Sequence, residues 1–182
     1  MENENQVSRR TFLKITTTVG AGVTFGFPMS SCSSTASNLK SKNQKVFTNA
    51  WVHIPEKGNI TFTCPRSEMG QGVSTGLASL LCEAMDYPID QLEVLNAPGD
   101  KVYKHKRFGS QATGASMSIS TEWEHMLNIG ASIRATLISS ASKKLNIPEK
   151  SLKTKDGLVI YGDESITYQD LSKVAAKVEI KT

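Results

Sequence analysis

The strongest constraint on the fold is a long helical pattern in the second half of the chain. Apolar and small residues recur there every three or four positions, as one face of an α-helix requires. They are Ile119, Trp123, Met126, Leu127, Gly130, Ile133, Leu137, Ala141 and Leu145. The small residues Gly130, Ala131 and Ala135 predict close packing against another element, and Pro148 ends the pattern.

The residues before this helix predict a hairpin and a shorter helix. Residues 51–54 and 59–64 alternate apolar and polar side chains around a turn at 55–58, which is typical of a β-hairpin. Ser74 or Thr75 is the predicted N-cap of the shorter helix. The apolar positions that keep helical spacing behind it are Leu77, Leu80, Leu81, Ala84 and Met85.

Further strands are predicted at 92–95, 158–161 and 166–167, and a last helix begins at Tyr168. The element order is β-β-α-β-α-β-β-α. This order predicts an α+β fold, a mixed sheet with helices packed on one face. The 182 residues provide one domain with a core of ordinary size.

The first 32 residues predict an export signal. Arg9 and Arg10 precede Thr-Phe-Leu-Lys and an apolar run that is diluted by threonine and glycine, a pattern that resembles a twin-arginine (Tat) signal. Cys32 ends this segment, and both lipidation of Cys32, giving a lipid anchor, and simple cleavage nearby remain open. Residues 33–46 are rich in Ser, Asn and Lys and predict a linker, which leaves 47–182 as the folded domain. The expected location is the periplasm.

The net charge and the cysteine pattern argue against nucleic acid binding and against a metal site formed by side chains. The net charge of +4 is scattered, with no basic stripe, so we expect no nucleic acid partner. The three histidines lie far apart in sequence and Cys64 and Cys82 match no metal motif, so no metal ligands are predicted. Both cysteines are predicted to be buried, with a disulfide left open. His53 and His105 are predicted at the surface and His125 on a helix face.

Two loops share a pattern of small and polar residues followed by a helix start. They are residues 68–73, the first loop, and residues 109–116, the second loop. Glycine allows close approach of a backbone, and a helix N-terminus offers free N–H groups to an anion. The pattern is not the dinucleotide fingerprint, because Gly76 comes one residue late. A capped helix after a glycine turn is the alternative interpretation.

Residues 66–75 closely resemble a signature of the xanthine dehydrogenase and aldehyde oxidase superfamily, and residues 109–118 resemble its second signature. Residues 130–134 also resemble the family. The most similar branch is the isoquinoline 1-oxidoreductase beta-subunit group, and the likeness covers residues 47–176. The resemblance implies a molybdopterin cofactor, in this branch the cytosine dinucleotide form, with molybdenum held by the pterin.

The resemblance also implies which residues contact the cofactor. Gln71 is expected to hydrogen-bond near the metal or the pterin, and Ala115 stands where the group usually has a glycine. The implied cofactor-binding residues are Met69, Gly70, Gln71, Gly72, Thr113, Gly114, Ala115, Ser116 and Ser118. No catalytic residue is assigned. Glu68 is expected to fix its own loop, because the family's glutamate base lies near the C-terminus of a much longer subunit.

The family's large subunits carry an inserted hammerhead-like domain and pair with a [2Fe–2S] subunit, and neither matches this sequence. We therefore expect one part of an exported molybdenum hydroxylase that acts on an N-heterocycle or an aldehyde and is inactive alone. Its expected partners are the remainder of the large subunit or a complementary chain, the small iron–sulfur subunit and a small-molecule substrate. The alternative is a non-enzymatic exported remnant or scaffold.

Overall fold

The computed structural model describes residues 14–18, 22–26 and 50–175, with side chains for 51–175. The strands are β1 Lys14–Thr18, β2 Gly22–Gly26, β3 Ala50–Pro55, β4 Ile60–Cys64, β5 Leu92–Asn96, β6 Lys153–Lys155, β7 Leu158–Tyr161 and β8 Glu164–Thr167. The α-helices are α1 Val73–Met85, α2 Ser118–Leu145 and α3 Tyr168–Ala175. Short 3-10 turns occupy Ile89–Gln91, Lys101–Tyr103 and Glu149–Ser151.

A mixed sheet in the order β1-β2-β3-β4-β5 forms one layer. Its pairs are antiparallel as far as β4, and β4 then runs parallel to β5 with α1 as the connection. The predicted hairpin is confirmed by the pairing of Val52 with Phe62 and of His53 with Thr61. Helices α1 and α3 lie against this sheet and α2 lies against both helices, which confirms the α+β class.

Two features differ from the predicted order. Strands β1 and β2 lie inside the segment 1–32 that predicts a signal, and β2 pairs with β3. Threonine and glycine dilute this apolar run enough to suit a signal, yet threonine and valine also favour strands. Strands β6, β7 and β8 form a separate antiparallel sheet and do not join the mixed one. Arg9, Arg10, Cys32 and the linker 33–46 lie outside the described residues.

Helix α2 packs closely along α1. A Cβ on Gly130 would lie 2.5 Å from the Leu81 carbonyl oxygen, so the predicted close approach is confirmed at this glycine. Near the other end, a Cβ on Gly76 would lie 2.8 Å from Ile119 Cδ1. These contacts advance in the same direction along both helices, so α1 and α2 run parallel and their N-termini share one end of the domain. Trp123 departs from the predicted buried face, since 50% of its surface is exposed.

The second sheet joins the end of α1 through a set of hydrogen bonds. The Gly157 N–H donates to the Asp86 carbonyl at 2.8 Å, and the Thr154 hydroxyl donates to the Asp86 carboxylate at 2.6 Å. The Tyr168 hydroxyl donates to the Met85 carbonyl at 2.9 Å from a buried position. Side chains from the mixed sheet, the three helices and β7 form one continuous core. No helix in the described part of the chain is long and apolar enough to span a membrane.

Candidate functional site

The first loop is organised by the carboxylate of Glu68. Its Oε1 accepts the N–H groups of Gly70 and Gly72, each at 2.9 Å, and its Oε2 accepts the Ser74 N–H at 3.0 Å. These hydrogen bonds, first that from Ser74, lower the pKa of Glu68. The prediction that Glu68 fixes its own loop is confirmed.

The start of α1 differs from the predicted cap. The helix begins at Val73 with Gly72 as its N-cap, in the left-handed region at φ 75°, and no N-cap side chain contributes a hydrogen bond. The prediction of a Ser74 or Thr75 cap is therefore wrong. The Glu68 carboxylate accepts the Ser74 N–H instead, and the left-handed conformation of Gly72 permits the turn that brings the carboxylate to the helix start.

Gln71 turns its amide back into the first loop. Its Oε1 accepts the Met69 N–H at 2.6 Å, and its Nε2 donates to the Ser67 carbonyl at 3.0 Å. A primary amide carries two N–H donors, so one remains for a ligand. Met69 is 68% exposed at the tip of the loop, and Gly70 has φ 90°. The predicted cofactor contacts of these residues stay predictions.

The second loop bends through two consecutive left-handed residues. Ala115 has φ 52° and Ser116 has φ 53°, and the Met117 N–H donates to the Gly114 carbonyl at 3.2 Å. A left-handed conformation costs a residue with a Cβ about 1–2 kcal/mol. The structure thus gives a physical reason why a glycine would suit position 115.

Helix α2 begins without a side-chain cap. Its N-cap is Met117, whose side chain accepts no backbone N–H of the helix, and the Thr121 N–H donates to the Met117 carbonyl as the first bond of the helix. The N–H groups of the first helical turn before Thr121 have no acceptor within a helix. Ser116 is exposed and Ser118 half-buried beside them. This helix start can donate to an anion.

The structure brings the two loops together. The Ser67 N–H donates to the Thr113 hydroxyl at 2.8 Å, and the Gln111 amide donates to the Pro65 carbonyl at 3.5 Å. With the N-termini of α1 and α2 side by side, the predicted residues of both loops lie at one end of the domain. Thr113 accepts in this contact, so its own O–H still has a proton to donate.

Sequence analysis missed a buried ion pair beneath the loops. Arg66 is 2% exposed and its guanidinium pairs with the carboxylate of Glu122, a buried residue of α2. Burial raises the pKa of Glu122, and the neighbouring Arg66 opposes this. One signal was available, because Glu122 occupies a position between Ile119 and Met126 on the apolar face of the helical pattern.

The three histidines differ in how deeply they are buried. His105 is fully buried, so the prediction of a surface position is wrong. Its Nδ1 accepts the Arg107 N–H at 3.2 Å, and the Thr121 hydroxyl, which donates to the Met117 carbonyl, lies 3.2 Å from its Nε2. The ring therefore carries its proton on Nε2 and is neutral, and burial lowers its pKa. His125 is buried on α2, with its pKa lowered by burial to about 3. His53 is half-buried.

Cys64 lies just before the first loop, where its Sγ donates to the Arg66 carbonyl at 3.3 Å. Cys64 and Cys82 are buried, as predicted, and both are free thiols. No group of three or more His, Cys, Asp or Glu side chains in the described ranges is placed to hold a metal ion. An open groove of about 390 Å³ runs between the β3–β4 turn and the start of α3. Its lining contains none of the predicted cofactor residues.

Two proteins are similar in sequence to this chain over most of its length. The isoquinoline 1-oxidoreductase subunit beta of Brevundimonas diminuta is 31% identical over 170 residues, covering 91% of this chain and 22% of the relative. The membrane-bound aldehyde dehydrogenase [pyrroloquinoline-quinone] of Gluconacetobacter polyoxogenes is 26% identical over 168 residues, covering 91% of this chain and 21% of the relative. The chain thus spans about a fifth of the length of these relatives.

Solved structures share the fold. Quinoline 2-oxidoreductase from Pseudomonas putida 86 matches 69% of this chain and 15% of its own, with a TM-score of 0.51 at 19% identity. The Cu,Mo-CO dehydrogenase matches 66% of this chain and 15% of its own, with a TM-score of 0.50 at 18% identity.

A family model described as the molybdopterin cofactor-binding domain matches residues 2–182. The resemblance predicted from the two loop signatures is confirmed by this match and by the isoquinoline 1-oxidoreductase relative. Because the match extends over nearly the whole chain, the protein belongs to the molybdopterin cofactor-binding domain family of oxidoreductases.

Proposed function

We propose that this chain supplies two cofactor-binding loops to an exported molybdenum hydroxylase that acts on an N-heterocycle or an aldehyde. The observation that carries the proposal is the start of α2, whose first-turn N–H groups have no side-chain cap. The names of the two relatives supply the substrate classes. Alone, the chain is inactive, because no residue in it corresponds to the family's glutamate base.

The residues at the loop end fit a large polar cofactor with phosphate. Ser116 and Ser118 carry hydroxyls beside the start of α2, where N–H groups and the helix dipole favour an anion. Gly70 and Gly72 lack a Cβ in the first loop, so a ligand can approach the backbone closely. When bound, the molybdopterin supplies the molybdenum redox chemistry of hydroxylation.

The two loops divide this work. The second loop would hold the phosphates of a cytosine dinucleotide form on the N–H groups of α2, with Thr113 and Ser118 as additional donors. The first loop would place Met69 and the remaining N–H of Gln71 beside the pterin. Glu68 already accepts the N–H groups of Gly70 and Gly72 in that loop and of Ser74 in α1, so an anionic ligand gains less there.

The complete enzyme requires other chains or segments. The remainder of the large subunit, or a complementary chain, would contribute the catalytic base, the other cofactor contacts and the substrate pocket. A separate [2Fe–2S] subunit would remove the electrons. Arg9 and Arg10 would direct export by the Tat route to the periplasm, and Cys32 would carry a lipid if it becomes the first residue of the mature protein.

One observation favours a second function, a non-enzymatic exported scaffold. The first loop satisfies its own polar groups: Glu68 and Gln71 both bond to backbone within it. Such a loop keeps its shape without a ligand. A remnant that retained the fold would therefore look the same in this region, and the difference between the two functions rests on the second loop.

The test places a negative charge at the start of α2. Ser118→Asp, in the first turn, is expected to stabilise the domain by about 0.3–1 kcal/mol through the helix dipole, and to lower bound molybdenum at least tenfold by repelling the phosphates. Ser118→Asn is the neutral control of similar size. Molybdenum and pterin content are measured after co-expression with the genomic neighbours. Equal molybdenum content in Ser118→Asp, Ser118→Asn and the wild type contradicts the proposal.

A further inference from the structure

The guanidinium of Arg66 contacts the neighbouring Pro65 and two distant parts of the chain. Its Nη1 donates to the Pro65 carbonyl at 3.1 Å, just before the first loop, and to the Tyr103 carbonyl at 3.0 Å, in the 3-10 turn that precedes the second loop. Its Nη2 pairs with Glu122 on the helix that follows the second loop. One side chain just before the first loop thus contacts the chain on both sides of the second loop.

The chemistry of this contact suits arginine and no other cation. A guanidinium is planar and presents five N–H donors in a fixed fork, whereas a lysine ammonium is a compact point charge on a flexible stem. The Arg66 side chain is completely buried and that of Glu122 is 2% exposed. Water therefore cannot replace a lost partner, and the three acceptors are fixed relative to one another.

We infer that Arg66 is a positioning residue that sets the second loop against the first, so that both face one ligand. Glu122 is its counterpart on α2. The Ser67–Thr113 hydrogen bond also joins the segment of Arg66 to the second loop. The purpose of this arrangement rests on the proposed cofactor site, but the arrangement itself does not.

The experiment measures amide hydrogen exchange in the full 182-residue chain without cofactor. Arg66→Lys keeps the charge but cannot reach the Tyr103 carbonyl and Glu122 together. The amides to follow are those of His105, Gly109 and Met117, whose N–H groups donate to backbone carbonyls around the second loop. We expect their exchange to accelerate about tenfold or more, because the two ends of the loop are no longer fixed.

Arg134→Lys is the matched control. Arg134 also joins separate elements, through Nε to the Thr154 hydroxyl at 2.6 Å and through Nη2 to the Asp86 carboxylate at 3.6 Å, but it lies beside the second sheet. This variant should accelerate the amide of Gly157, which donates to the Asp86 carbonyl, and leave the loop amides unchanged. Arg66→Lys should show the opposite pattern.

Two outcomes overturn the inference. In the first, Arg66→Lys leaves exchange in the second loop as in the wild type. In the second, it accelerates the loop amides and Gly157 alike, which shows a general loss of stability. Bound molybdenum is measured separately on the co-expressed complex. If wild type binds none while the exchange pattern holds, the proposed function fails and the role of Arg66 stands.

Discussion

The first and second loops look alike in sequence, and each leads into a helix whose N-terminus lies beside the other. Their helix starts nevertheless differ in what they offer a ligand. At the start of α1, the Glu68 carboxylate accepts the Ser74 N–H. At the start of α2, the N-cap residue Met117 provides no side-chain cap. Both loops show the predicted pattern of small and polar residues before a helix, but the first satisfies most of its own donors and the second has donors to spare.

The difference teaches how a chain can use one motif for two tasks. A loop that satisfies its own donors keeps its shape before any ligand arrives, and so it presents a preformed surface. A loop with unsatisfied donors gains most when an anion binds. The first loop thus provides a preformed surface for the ligand, and the second provides the N–H donors that attract an anion.

The largest expected effect follows from Gly72→Val, which places a β-branched residue at φ 75° on the N-cap of α1. The strain costs about 1–2 kcal/mol, and the added side chain blocks approach to the backbone, so cofactor content should fall to background. Gly58→Val is the control, since Gly58 has φ 97° in the β3–β4 turn and nothing within 4 Å of an added Cβ. Equal cofactor content in the two variants would mean that the first loop does not provide a binding surface for the cofactor.

Gln71→Ala should lower cofactor content about tenfold to hundredfold, because a lost hydrogen bond to a charged group costs about 1.5–3 kcal/mol. Gln169→Ala removes a comparable amide, whose Nε2 donates to the Gly58 carbonyl at 3.3 Å, and should leave cofactor content unchanged. Molybdenum content and thermal unfolding are measured together. If Gln71→Ala lowers the unfolding temperature with molybdenum intact, the amide serves its loop alone.

Glu68→Gln should alter the pH dependence of unfolding. Because hydrogen bonds lower the folded pKa of Glu68, its stabilising contribution is complete above the unfolded value of about 4.3 and is lost as the pH falls through the folded pKa. The variant lacks this contribution, so the difference in unfolding free energy between wild type and variant should shrink as the pH falls below about 4. A difference that stays constant from pH 7 to pH 3 contradicts the role of the carboxylate.

Ala115→Gly should have the smallest effect, and it should raise the stability of the protein where the other substitutions lower stability or cofactor content. Removing the Cβ at φ 52° relieves about 1 kcal/mol of strain, and the greater freedom of glycine in the unfolded chain offsets most of it. We expect a gain of a few tenths of a kcal/mol in chemical denaturation, with cofactor content unchanged. A loss of stability would show that the Ala115 methyl makes a contact that outweighs the strain.

Local patterns were sufficient for most of the fold. The β3–β4 hairpin and helices α1 and α2 follow from periods of two and of three to four residues, and the close approach at Gly130 follows from a small residue on a long helix. The family resemblance depended on the loop residues, and these also lie together in the structure. These features depend on neighbours in sequence, which a single chain displays directly.

The features that sequence analysis missed depend on distant residues. Glu68 accepts an N–H six positions along the chain, at the start of α1. Sequence patterns for helix caps include only the residues at the helix boundary, so they do not identify it. Arg66 meets Glu122 across 56 positions, and nothing local identifies its partner. Strand β2 pairs with β3 and β1 pairs with β2, so these strands depend on distant partners and their own composition suited an export signal equally well.

The hydroxyl of Tyr168 donates to the carbonyl of Met85, which precedes it by 83 positions, and α3 completes the core that β3 and α1 begin. During synthesis, the hairpin and α1 leave the ribosome long before α3 exists to cover them. Loop closure over this distance costs entropy before any contact repays it, and such topologies fold slowly. We therefore expect the nascent chain to carry an exposed apolar face until α3 has been synthesised, a period in which chaperones have a surface to bind.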